Sequence, residues 1–144
     1  MIHYVLIALV SMNSSWIDKT DAKQDLELMQ GDWVIASAEL SGKPMPEEVT
    51  KTIKLTIEGD KYIVSTPSGA DKGVCQLNSE VSPRTLEITG VEGPNKGKKI
   101  PAIYEVKDGE LKVCYDLSGK EFPKEFKSTD GTLLFLVTYT KVKK

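Results

Sequence analysis

The chain has 144 residues, the length of one domain, and can bury roughly two thirds of its unfolded surface without covalent staples. Its residues are 40% hydrophobic and 28% charged, which excludes a disordered polar tract and a membrane bundle. The 19 basic and 21 acidic side chains give a net charge of −2, and Arg84 is the one arginine, so there is no basic field for nucleic acid and no supply of bidentate phosphate or guanine readers.

His3 precedes the apolar run Tyr4-Val5-Leu6-Ile7-Ala8-Leu9-Val10, which is followed by a small polar stretch from Ser11 to Ser15. The run has the length of a secretory h-region and is far too short to span a bilayer. It predicts a signal peptide over residues 1–15, export to the periplasm or the exterior, and no stable membrane span. The alternative is a buried first strand of a cytosolic protein, because no Lys or Arg precedes the run. With the signal removed, the chain from about Trp16 onward holds no histidine, which excludes Ser-His-Asp and Cys-His catalysis and His-ligated metal. Cys75 and Cys114 form no CxxC and are expected as two separate thiols. No Walker loop, GxGxxG or aspartate-rich calcium loop is present, so the sequence assigns no catalytic residue, no metal and no cofactor, and predicts a protein that is not an enzyme.

The segment 16–30 contains a short amphipathic helix, Asp21 to Met29, opened by an Asp and carrying Ala22, Leu26 and Met29 on one stripe. From there to the C-terminus, over 31–144, β-branched and aromatic runs alternate with Gly, Pro, Asn and Asp, the pattern of consecutive antiparallel strands. Eight are expected: Trp33 to Leu40, Ile53 to Glu58, Lys61 to Thr66, Gly73 to Leu77, Arg84 to Val91, Ile100 to Lys107, Glu110 to Leu117 and Thr132 to Val142. A helical turn can begin at Pro46-Glu47-Glu48, Pro67 to Lys72 is expected as a loop, and Gly59-Asp60 and Asp108-Gly109 are tight hairpin turns. Alternation in Ile53 to Glu58 and Glu110 to Leu117 gives each strand one buried face, whereas Leu133 to Val137 is apolar on both faces and needs cover on both, for which a helix is the natural choice. Short links between sequential strands favour an all-β, eight-stranded antiparallel up-and-down barrel over a sandwich, because closure removes both edges.

Gly31-Asp32-Trp33 has the Gly-x-Trp arrangement found at the base of lipocalin barrels. The wider set is Leu28-Met29-Gln30-Gly31-Asp32-Trp33, Ser37-Ala38-Glu39, Gly42-Lys43-Pro44-Met45-Pro46, Leu55-Thr56-Ile57-Glu58-Gly59-Asp60, Gly93-Pro94-Asn95-Lys96-Gly97, Ile103-Tyr104-Glu105, Leu111-Lys112-Val113-Cys114-Tyr115 and Phe122-Pro123-Lys124-Glu125-Phe126. In that order these runs resemble an uncharacterised lipocalin-like domain family abundant in planctomycete bacteria, over roughly residues 25 to 142. The resemblance implies a lipocalin-like (calycin-type) barrel with a short N-terminal helix and an exported protein, and it brings no established activity, ligand or catalytic residue. Lipocalins proper place an Arg of the final strand over the Trp; here Lys141 and Lys143 are the basic residues available.

Gly31 and Trp33 are accordingly read as structural, with Trp33 plugging the barrel floor. Ile35, Ser37, Glu39, Leu55, Ile57, Tyr104, Val113 and Tyr115 form the expected inward-facing set and the candidate ligand-binding residues. A carboxylate at Glu39 inside the barrel would need Tyr104 or Tyr115 as a partner; at the wet rim it would not. Lys96-Gly97-Lys98-Lys99 fits a solvated loop tip better than an anion site. A barrel of eight strands can hold one small ligand or be filled by its own side chains. Three functions stay open: a non-catalytic exported carrier of a small apolar or amphipathic molecule, a protein or polysaccharide interaction module with a filled core, and an enzyme using carboxylates alone, for which Glu39 and Glu105 are the candidates.

Overall fold

The computed structural model describes residues 22–143, so the expected signal peptide and residues 16–21, the first expected helical residue Asp21 among them, lie outside the described residues. Helix α1 covers 22–28 and buries Asp25 together with the apolar stripe that ends at Met29. The strands follow as β1 (Gly31–Leu40), β2 (Lys43–Pro44), β3 (Lys54–Glu58), β4 (Lys61–Thr66), β5 (Gly69–Asn78), β6 (Thr85–Glu92), β7 (Lys99–Lys107), β8 (Glu110–Asp116) and β9 (Leu134–Lys141), with the one-turn helix α2 (Glu47–Thr50) between β2 and β3. Each long strand pairs antiparallel with its neighbour in sequence, and β1 pairs with β9, which closes the sheet. The protein is therefore a closed, eight-stranded antiparallel up-and-down barrel, with β2 a two-residue flap on the edge of β1.

Two features differ from the sequence reading. Pro67 to Lys72 is not a loop: Gly69 to Lys72 pair with Thr66 to Ile63, so β5 begins four residues earlier than its hydrophobic pattern does. Polar and small side chains there give no alternation to detect, and the pairing is dictated by the tight turn that precedes it. The second difference is the cover over the outer wall. Among the described residues the only helix beside the outer face of β9 is the one-turn α2, and the loop 117–133 supplies further cover by folding back across β8, where Cys114 Sγ donates to the Lys127 carbonyl (3.6 Å) and Lys112 Nζ lies 5.7 Å from the Phe126 ring. Helix α2 covers the outside of β1 beside Leu136 and Thr138.

The floor is built from both chain directions. Trp33 is fully buried and its Nε1 donates to the Met29 carbonyl at 2.8 Å, tying the first strand to the end of α1. Gln30 clamps the β3–β4 turn, its Nε2 donating to the Gly59 carbonyl (2.9 Å) and its Oε1 accepting from the Gly59 N–H (2.7 Å). Buried Asp25 accepts from Arg84 Nη1 (2.9 Å) and from the Tyr104 hydroxyl (2.6 Å), which fixes α1 across the base of β6 and β7. Among the described residues no helix is long and apolar enough to cross a membrane.

Candidate functional site

Above this floor the barrel interior encloses a cavity of about 250 Å³. Its walls are mainly apolar: Ile35 of β1, Leu55 and Ile57 of β3, Val64 of β4, Leu86 and Ile88 of β6, Ile100 of β7 and Phe135 of β9, with Met29 from the end of α1. Ile53 and Leu117 lie at the end away from the floor, where Asp71 and Asn95 also contribute. The carboxylate of Asp71 accepts from the Asn95 backbone N–H (3.2 Å) and from Asn95 Nδ2 (2.7 Å), so the β6–β7 loop is drawn down onto β5 beside the opening. The lysines of that loop, Lys96, Lys98 and Lys99, stay exposed to solvent.

Besides Asp71 and Asn95, the polar groups Tyr62, Cys75, Tyr115 and Tyr139 interrupt the apolar lining. The Tyr115 and Tyr139 hydroxyls bond to each other at 2.9 Å. Burial, then the Tyr139 hydroxyl beside it, pushes Tyr115 well above its ordinary range. Burial also pushes Tyr139 to about 12, although the hydrogen bond from Tyr115 works in the opposite direction. Tyr62 is raised to about 12 by burial and by the nearby Asp71 and Cys75. The Cys75 thiol is likewise raised to about 12 by burial and by Asp60, and so stays a neutral, weakly polar group at physiological pH, without thiolate reactivity. Among the described residues no Lys, Arg or His lines the cavity.

Four of the residues expected to line the interior do so: Ile35, Leu55, Ile57 and Tyr115. Tyr104 and Val113 are inside the barrel and fully buried, but they pair with each other lower down and pack into the filled base instead of the cavity wall. Ser37 and Glu39 are on the wrong face. The β1–β9 register passes from Ile35↔Tyr139 directly to Ser37↔Thr138, so Ala36 is an extra residue, a β-bulge, and the alternation shifts by one. Ala38 and Leu40 take the inward positions opposite Val137 and Phe135, while Ser37 and Glu39 turn outward toward α2. Glu105 also points outward, exposed on β7 opposite Lys112, so the two carboxylates weighed for catalysis share no site. Trp33 is fully buried and is not part of the cavity lining, and Gly31 beside it adopts φ +112°.

Sequence reasoning named four of the lining residues and missed the rest, among them Tyr62, Cys75, Tyr139 and Phe135 and the apolar side chains of β4, β6 and β7. The signal for Tyr62 was present, since Tyr62 and Val64 alternate with Lys61 and flank the same hairpin as Leu55 and Ile57. That for Phe135 and Tyr139 was masked by the doubly apolar start of β9. Cys75 and Cys114 are two separate buried thiols, one inside the barrel and one on its covered outer face.

No protein-family model matches the chain and no curated protein does. Among solved structures the barrel is similar to a DUF4847 family protein from Bacteroides vulgatus ATCC 8482, at 13% identity over 81% of this chain and 96% of that one, with a TM-score of 0.49. It is also similar to a mutant of the fluorescent protein UnaG, at 18% identity over 83% of this chain and 99% of that one, with a TM-score of 0.40. The barrel assignment itself rests on the strand register of this chain.

Proposed function

We propose that this protein is an exported, non-catalytic carrier that holds one small apolar molecule inside its barrel. The observation that carries the reading is the apolar cavity of about 250 Å³ above a floor closed by Trp33. A tightly interdigitated interior, the premise of the interaction-module alternative, would leave no such space. An apolar cavity of about 150 Å³ takes up benzene, which scales to about ten non-hydrogen atoms for the space found here. A ring with a short substituent or a short branched chain is therefore the size class, well below a long-chain lipid. The lack of a histidine beyond His3 and the outward aim of Glu39 and Glu105 support a non-catalytic role.

An environment-sensitive apolar dye of that size should bind with about 1:1 stoichiometry. Ile57→Trp, which places an indole into the cavity, should abolish dye binding with little loss of stability. No binding by the wild type, together with destabilisation of the variant by roughly 1 to 3 kcal/mol through overpacking, would remove the carrier reading. Export is tested by fractionating the producing cells, and recovery of the chain in the cytosol with residues 1–15 intact would overturn it.

A further inference from the structure

Tyr62 lines the cavity, is 3% exposed, and among the described residues has no hydrogen-bond partner for its hydroxyl. Its ring is wedged against Gly73, where even a Cβ would come within 2.6 Å of the ring. The side chain is thus held in place by the backbone opposite it. Buried hydroxyls are nearly always paired, because leaving one unmet forfeits the hydrogen bonds it had in water. An unmet hydroxyl fixed at the wall of a cavity marks the place of a group that comes with the ligand.

The remaining lining defines that group. The Tyr115–Tyr139 pair carries two hydroxyl hydrogens and uses one in the bond between them, so the pair has a donor to spare. With their acidities suppressed by burial, all three tyrosines are protonated at neutral pH. Among the described residues the lining therefore offers neutral O–H donors and no cation, and its one charged side chain is the carboxylate of Asp71. An anionic ligand would give up its hydration for apolar walls, neutral donors and a like charge. A neutral oxygen acceptor meets none of these penalties.

We infer that the cavity selects an uncharged apolar ligand carrying one carbonyl-type acceptor, which receives the hydrogen bond of the Tyr62 hydroxyl, and that it rejects the carboxylate of the same size. This rests on the carrier reading and adds the chemical class of the ligand to it. Three probes of the same shape and heavy-atom count separate the two statements: acetophenone, cumene and benzoate, titrated calorimetrically into the full chain at neutral pH. Acetophenone should bind at least tenfold more tightly than benzoate. Tyr62→Phe should weaken acetophenone about tenfold, the effect of losing one buried hydrogen bond, and leave cumene unchanged. The variant removes an oxygen that no described residue contacts by hydrogen bonding, so it should keep its fold, as judged by circular dichroism. Benzoate binding as tightly as acetophenone, or acetophenone binding unchanged in Tyr62→Phe, overturns the inference while leaving the carrier intact. If the wild type takes up neither cumene nor acetophenone, the carrier reading falls and this inference with it.

Discussion

Lys141 of β9 lies over the indole of Trp33 of β1, its Nζ 5.6 Å from the ring centroid, and the two residues are register partners where the barrel closes. The ammonium is drawn to the face of the ring by the ring's quadrupole. Lysine here occupies the place of the arginine that the lipocalin comparison anticipated. Its Cε would lie 3.2 Å from a Cβ on Gly31, which also has φ +112°, so a side chain at position 31 is disfavoured both by space and by backbone conformation.

Trp33→Ala should cost about 3 to 5 kcal/mol, the range for a fully buried large aromatic, because it removes the indole, its hydrogen bond to Met29 and the seat of Lys141. Lys141→Ala should cost only about 1 kcal/mol, since the cation–π contact is exposed to water on one side. Urea unfolding of both variants checks the order, and a loss below about 1 kcal/mol for Trp33→Ala would mean that the floor is not sealed by this residue.

Asp25 is buried and takes hydrogen bonds from both Arg84 and Tyr104, so the carboxylate depends on its partners. Arg84→Met should destabilise by about 1 to 3 kcal/mol, less than the 3 to 5 typical of a wholly buried pair because the arginine side chain is 38% exposed. Asp25→Asn, which keeps the shape and removes the charge, should be milder. Equal and negligible losses in urea unfolding for the two variants would show that α1 does not depend on this ion pair.

The strand order and the closed topology were legible in the sequence because turn residues and alternation repeat along the chain. The candidate site was legible only in part, and β1 shows why. Alternation from Trp33 and Ile35 carries forward to Ser37 and Glu39, but the bulge at Ala36 resets the phase, and nothing in Ile35-Ala36-Ser37 announces an extra residue. Bulges are settled by the partner strand and by the curvature that closure demands, neither of which is local. The start of β9 failed for a different reason: Leu134 to Val137 is apolar throughout because the outside of the barrel is covered by α2 and by the loop 117–133, so periodicity could not say that Phe135 faces the cavity and Leu136 faces out.

Tyr62→Phe and Tyr115→Phe remove the same atom from neighbouring positions of one cavity and should have opposite consequences for the empty protein. Tyr62 gives up a hydroxyl that bonds to none of the described residues, so the change should be neutral or stabilising by up to about 1 kcal/mol. Tyr115→Phe strips the Tyr139 hydroxyl of the bond it makes at 2.9 Å and should cost about 1 to 3 kcal/mol. Thermal melts of the two proteins under identical conditions read the difference directly, and a Tyr62→Phe variant as destabilised as Tyr115→Phe would mean that the Tyr62 hydroxyl does have a partner.

Stability should fall steeply in alkali, beginning before the tyrosines of an unfolded chain are fully ionised. Cys75 has an ordinary value of 9.0 and is raised to about 12 in the folded barrel, while Tyr62 and Tyr139 are raised from 10.0 to about 12 and Tyr115 well above 10.0, in each case first through burial. The direction follows from which state holds its protons. Between the unfolded and folded values the unfolded chain has released them and the native barrel has not, so the unfolded state binds fewer protons and stability declines as pH rises. The contribution is therefore complete below about pH 9, declines first through Cys75 and then through the tyrosines, and is exhausted as the folded values near 12 are passed. For Tyr139, fully enclosed at the barrel wall, the span of two pH units corresponds to about 2 to 3 kcal/mol. Urea midpoints should stay level from neutral pH to about pH 9 and then drop, and tyrosinate absorbance of the folded protein should lag behind that of the urea-unfolded chain across the same interval. Tyr115→Phe and Tyr139→Phe should each flatten the decline. A wild-type midpoint that stays level to pH 11, or tyrosinate absorbance that rises equally in both states, would place these hydroxyls in water, and with them the cavity they line.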